Sequence, residues 1–131
     1  ASDTCGASSF FENDGKPNSF SLEHLDPGAA GFSTMTITID VLAEWERLTR
    51  VALIKIDAEG SEDKVIAGAA ATIDRDRPAI IAEVTQGGLT RLPAGYTAYR
   101  ATRGPNRVLL PAGHHATAAV QARGWRAVEA L

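Results

Sequence analysis

A chain of 131 residues holds one domain at most, and at that length it buries roughly two-thirds of its unfolded surface, enough for a core without disulfides or metals. Hydrophobic residues at 44% and charged residues at 22% exclude wholesale disorder and collagen-like repeats. The 13 Lys and Arg against 16 Asp and Glu leave a net charge of -3, and with aromatics at 6% this argues against a nucleic-acid or anionic-membrane surface.

Residues Ala1 to Gly31 are rich in Ser, Gly, Asn, Asp and Pro and hold no helical or strand period. A loop-rich arm over residues 1–33 is therefore expected, with Phe10, Phe11, Phe20 and Leu22 as isolated anchors. The lone Cys5 cannot close an intrachain disulfide, and the first six residues have neither a basic nor an apolar signal region. No apolar run approaches the ~20 residues of a membrane helix. A cytoplasmic setting is the expectation. The chain does not begin with Met, which leaves open that it is part of something longer.

From Thr34 the pattern sharpens. Thr34, Thr36 and Thr38 alternate with Met35, Ile37 and Ile39, which predicts a half-buried strand. Asp40 is placed to cap a short helix with Leu42, Trp45 and Leu48 on one face. Val51 to Ile56, apolar but for Lys55, predicts a strand covered on both faces, as in a parallel sheet. Ser61 is the candidate cap of a following helix, with Glu62 and Asp63 in its first turn and Val65, Ile66, Ala69 and Ile73 as its buried stripe. Pro78 opens the next strand, Ala79 to Ala82, closed by Glu83, and strand–helix–strand in this compass is a βαβ unit.

Further on, Gln86-Gly87-Gly88 and Pro93-Ala94-Gly95 punctuate a weak segment around Leu89 to Leu92. Tyr96 to Thr102 and Arg107 to Leu110 flank the turn Arg103-Gly104-Pro105-Asn106, which predicts an antiparallel pair closing the sheet. Residues Ala116 to Leu131 read as an Ala-rich helix, with Val120, Ala127, Val128 and Leu131 inward and Gly124 weakening it.

Chemistry concentrates at the strand ends. Asp57 with Glu59 follows the first parallel strand and Glu83 ends the second. Ligands of open α/β sheets bind outside the carboxyl ends of the strands, where a carboxylate can accept a hydroxyl proton, orient a cation or hold a divalent metal. The plainer alternative is that these acids cap helices or end strands in solvent. Lys55 shares a face with Asp57, two residues on, as a structural or a functional ion pair. Adjacent His114 and His115 would face opposite sides of an extended chain and are better read as an exposed loop than as metal ligands.

The run Leu53-Ile54-Lys55-Ile56-Asp57-Ala58-Glu59-Gly60-Ser61-Glu62, then Val65-Ile66-Ala67-Gly68-Ala69 and Arg77-Pro78-Ala79-Ile80-Ile81-Ala82-Glu83, resembles the FkbM-type methyltransferases. Thr38-Ile39-Asp40-Val41-Leu42 is similar to the segment just upstream of that motif in the family. The resemblance covers Thr34 to Val84 well and Gly95 to Leu110 loosely. It implies an α/β fold, a partial doubly wound, Rossmann-like methyltransferase sheet of parallel strands plus a closing antiparallel pair. Residues 34–131 would form the C-terminal half of such a domain. It also implies transfer of a methyl group from S-adenosylmethionine to a hydroxyl of a sugar, lipid or secondary metabolite. Asp57 or Glu59 would then be the base, with Lys55 and Glu83 shaping the site. The family's Asp-x-Gly-x-x-x-Gly turn and the acid that holds the ribose do not occur, so a truncated domain with unassigned cofactor-binding residues is expected.

Two other functions remain open from the residues alone. One is a non-catalytic α/β module that self-associates through the apolar edge strand Val51 to Ile56 and the arm. The other is an enzyme of another class with Asp57 and Glu83 as magnesium ligands.

Overall fold

The computed structural model describes residues 1–12, 20–21, 31–84 and 89–128. Two sheets organise them. A three-stranded antiparallel sheet has the order β2-β1-β3, from β1 (Gly6–Glu12), β2 (Phe20–Ser21) and β3 (Gly31–Thr36). A five-stranded mixed sheet has the order β4-β5-β7-β6-β8, from β4 (Leu53–Ile56), β5 (Ala79–Glu83), β6 (Tyr96–Arg100), β7 (Asn106–Pro111) and β8 (Arg126–Val128). Four short helices accompany them: α1 (Ile39–Trp45), α2 (Glu62–Ala67), α3 (Ala70–Asp76) and α4 (Thr117–Ala122). No helix among the described residues is long and apolar enough to cross a membrane.

The βαβ unit is present: β4 and β5 are parallel neighbours, in register from Leu53↔Ala79 to Ile56↔Ala82. The antiparallel pair β6–β7 is present too, with β7 rather than β6 against β5. One face of the sheet is the core. Ile54, Ile56, Ile80, Ala82, Ala98 and Leu109 pack there against Val65 and Ile73 of the crossover helices and Ala69 between them. Each fully buried Ile or Leu contributes roughly 1.5–3 kcal/mol.

Several expectations are corrected. The arm contains β1, because the chain around Ser8 and Ser9 finds β3 as a partner. In β3 the facing is reversed: Met35 is 77% exposed while Thr36 is buried. The Thr36 hydroxyl bonds the carbonyl oxygens of Thr4 and Gly6, which makes its burial tolerable. Leu42, Trp45 and Leu48 are exposed, and Ala43 is the buried residue of α1. The strand β4 is covered on one face only: Ile54 and Ile56 are buried against the crossover helices, while Leu53 on the other face is 53% exposed.

The expected single crossover helix is two. α2 ends at Gly68 and α3 begins after Ala69, and the break is held from outside. Asp40 N–H donates to the Gly68 carbonyl at 2.9 Å, and the Ser2 carbonyl lies where a Gly68 side chain would begin. The expected C-terminal helix stops at Ala122. Gly124 takes a left-handed φ of +80°, and the chain returns as β8 against β6. The turn around Gln86-Gly87-Gly88, His24 and the inward Leu131 lie outside the described residues.

Candidate functional site

Parallel register puts the carboxyl ends of β4 and β5 side by side. Asp57 follows Ile56 and Glu83 follows Ala82, the last pair of the ladder, so the two acids leave neighbouring strands ~4.8 Å apart. Glu83 is half-buried and pairs with Asn106 of β7. Lys55 and Asp57 share the open face, Nζ to Oδ2 at 3.4 Å, each side chain about half exposed. A pair so exposed adds less than ~1 kcal/mol to stability. Its effect is to place one positive and one negative group at the strand end.

After Asp57 the chain turns sharply. Glu59 has φ of +46° and Gly60 φ of +97°. The left-handed conformation costs a non-glycine residue roughly 1–2 kcal/mol, so the turn needs a restraint. Ser61 N–H donates to the Ala58 carbonyl at 3.1 Å. Gly60 N–H donates to Glu62 Oε1 at 3.2 Å. Glu62 is fully buried, where the sequence placed it only in a helix's first turn. Its second oxygen, Oε2, and the Ser61 hydroxyl are buried with no hydrogen-bond partner among the described residues. Ser61 occupies the N-cap position of α2 without making a side-chain cap.

Two further residues shape this end of the sheet. Both Asp63 oxygens accept the Thr90 N–H at 3.0 Å, and Oδ2 also accepts the Thr90 hydroxyl. This ties the segment after β5 to the start of α2. The sequence offered no sign of it, because Asp63 and Thr90 are 27 residues apart.

Asp40 has a different task from the one expected. Thr38 caps α1, its Oγ1 accepting Val41 N–H at 3.1 Å. Asp40 reaches across to α3 and accepts Ala71 N–H at 3.0 Å and Thr72 N–H at 2.8 Å. It thereby caps a helix whose own N-cap residue, Ala69, cannot. Beside it, between α1 and α3, is a cavity of about 320 Å³ lined by Asp40, Glu44, Leu48, Thr72 and Arg75 among others. Asp40 is engaged by α3, and Arg75 is paired with Asp76 at 2.6 Å, so these two charged groups of the cavity wall are structural.

The remaining candidates separate from the strand ends. His114 and His115 stack with ring centroids 4.3 Å apart rather than facing opposite sides, because His114 lies in the turn after β7 and its Nδ1 accepts Ala116 N–H. Burial, and then the neighbouring His115, lower the His114 pKa. Cys5 Sγ accepts Thr38 N–H at 3.4 Å. Among the described residues, no group of three or more His, Cys, Asp or Glu is placed to hold a metal.

No curated protein and no solved structure matches the chain. A family profile does, over residues 2–104, which run from ahead of β1 to the turn between β6 and β7; its description is "Methyltransferase FkbM domain".

Proposed function

The chain belongs to the FkbM methyltransferase family, and from that premise we propose that it serves transfer of a methyl group from S-adenosylmethionine to a hydroxyl of a sugar, lipid or secondary metabolite. The observation that carries this function is the placing of Asp57 and Glu83 beyond the last paired row of two parallel strands, the edge where α/β sheets receive ligands. The order β4-β5-β7-β6, with β7 antiparallel, supports reading the five-stranded sheet as the second half of a doubly wound sheet.

The described residues do not by themselves fit the donor. The cavity between α1 and α3 is walled by a helix cap and an ion pair, and the sequence has no glycine-rich turn for the methionine end and no ribose acid. S-adenosylmethionine supplies an electrophilic methyl group; the chain's own residues supply the acceptor side. There Asp57 or Glu59 takes the hydroxyl proton, a contribution of about 10²- to 10⁴-fold. Lys55 and Glu83 border the place where the hydroxyl stands. Holding that oxygen in line is worth up to ~7–11 kcal/mol.

The test is calorimetry of S-adenosylmethionine and its demethylated product into the 131-residue chain and into any longer form its gene encodes, followed by product release with hydroxyl acceptors. Binding by the longer form alone is expected. Micromolar binding by the short chain would overturn the statement that its donor site is incomplete. With turnover in hand, Asp57→Asn or Glu59→Gln lowers kcat by ~10²–10⁴ while donor affinity holds.

A second reading, association without catalysis, is favoured by β4, whose outer edge is unpaired among the described residues and whose Leu53 is exposed. Sedimentation that finds dimers, with no donor binding by either form, would select it.

A further inference from the structure

We propose that Glu62 is the positioning residue of the strand-end acids: its buried carboxylate holds the Glu59–Gly60 turn in its left-handed path and so fixes where Asp57 and Glu59 stand. Three observations converge on it. Glu62 is fully buried, yet among the described residues only one of its oxygens is used, by the Gly60 N–H at 3.2 Å. The turn it grips holds two successive positive φ values, +46° at Glu59 and +97° at Gly60. The same turn links Asp57, at the end of β4, to the first residue of α2.

A carboxylate is a poor choice for filling that space. Burying a carboxyl group is costly unless its polar atoms find hydrogen-bond partners, and an apolar side chain of similar volume generally serves stability as well or better. Glu62 Oε2 and the neighbouring Ser61 hydroxyl have no partner among the described residues, so the site is not arranged to maximise stability. What Glu62 provides is an acceptor at one atom, the Gly60 nitrogen. That acceptor acts directly on the bend. Strained backbone persists only where its surroundings over-determine it, and it gathers where geometry matters for function. Glu62 acts through the turn and does not touch a reacting atom.

This inference rests on the assignment of Asp57 and Glu59 as the acids of the site, and its test has a part that does not need methyl transfer. In nitrogen-15-labelled full chain, Glu62→Ala is compared with Glu62→Gln, which keeps an oxygen for the Gly60 N–H. In the Ala variant, Gly60 amide exchange is expected to rise at least tenfold, and the Glu59 amide–α-proton coupling to move away from its left-handed value. Ile80 and Leu109 amides should stay as protected as in the parent. The Gln variant should return both Gly60 and Glu59 to parental behaviour. Unchanged exchange at Gly60, or equal acceleration at Gly60, Ile80 and Leu109, would overturn the proposal.

Should Glu62→Ala fail to fold, Glu59→Gly supplies the second arm. Glycine needs no restraint at φ of +46°, so the loss on removing the Glu62 carboxyl group should be smaller in that background, and the double variant Glu59→Gly with Glu62→Ala is expected to fold where Glu62→Ala alone does not. A double variant that also fails to fold would refute the link between Glu62 and the bend. In any form that turns over, Glu62→Ala should lower kcat at least tenfold with the KM for S-adenosylmethionine unchanged, and Glu62→Gln should recover most of it. Loss of the turn with unaltered kcat would keep Glu62 as a holder of the turn but remove Asp57 and Glu59 from the chemistry.

Discussion

Asp40 is the residue whose loss should be felt farthest along the chain from itself. Its carboxylate closes the start of α3, more than thirty residues away, so Asp40→Ala should cost ~0.5–2 kcal/mol in urea unfolding. Partial burial pushes its pKa up, but the Thr72 side chain and N–H, the Ala71 N–H and the charge of Arg75 outweigh this and hold it below the ordinary value. Asp76 is held down to about 2, first by its hydrogen bond to Arg75 and against some desolvation, with help from Val51 N–H. Both folded pKa values lie below the unfolded one, near 3.9. The stability they contribute is therefore fully present above that value and is lost as pH falls through the folded pKa, down to about 2 for Asp76. Asp76→Asn should flatten the acid limb of a plot of unfolding free energy against pH. Tyr96 behaves in the opposite sense. Burial raises its pKa, Arg77 opposes this and Asp74 adds to it. Its stabilising contribution is present below about pH 10, the unfolded value, and fades as pH rises through the folded one. Tyr96→Phe removes that alkaline loss and the 2.8 Å bond to the Pro78 carbonyl, at ~1 kcal/mol at neutral pH.

Among the elements, the break between α2 and α3 is the most constrained. A side chain on Gly68 would begin 1.9 Å from the Ser2 carbonyl oxygen, and backbone cannot swing aside as a side chain can. Gly68→Ala should therefore push the first residues off α2, costing roughly 1–3 kcal/mol and making residues 1–5 the first site of limited proteolysis. The sequence showed a glycine in the crossover helix but not the strand of chain lying on it. The same limit explains the other differences. β4, β5 and the β6–β7 pair were legible because apolar runs and turn residues act locally, and Asp57 and Glu83 were legible as strand ends for that reason. Thr36 facing inward and Asp63 gripping Thr90 depend on partners far along the chain, which no period records. The expected C-terminal helix gave way because Gly124 ends α4 and β6 still had an edge to fill.

For the molecule as a whole, the burial of Ile80 between β4 and β7 makes it the pivot of the core. Ile80→Ala should lose ~2–5 kcal/mol, read from the urea midpoint at constant slope. The strand order also bears on the order of folding. β7 lies between β5 and β6, and β6 is bonded on its other side by β8. A short turn joins β6 to β7, whereas docking onto the parallel pair, through Ile80↔Leu109 and Ile81↔Val108, closes a longer loop, so the hairpin is expected to form first. In stopped-flow refolding, Leu110→Ala inside the hairpin should slow the folding limb by nearly its full equilibrium cost and barely change the unfolding limb. Ile54→Ala in β4 should do the reverse, leaving refolding almost untouched and hastening unfolding, so that time rather than equilibrium separates the two halves of one sheet.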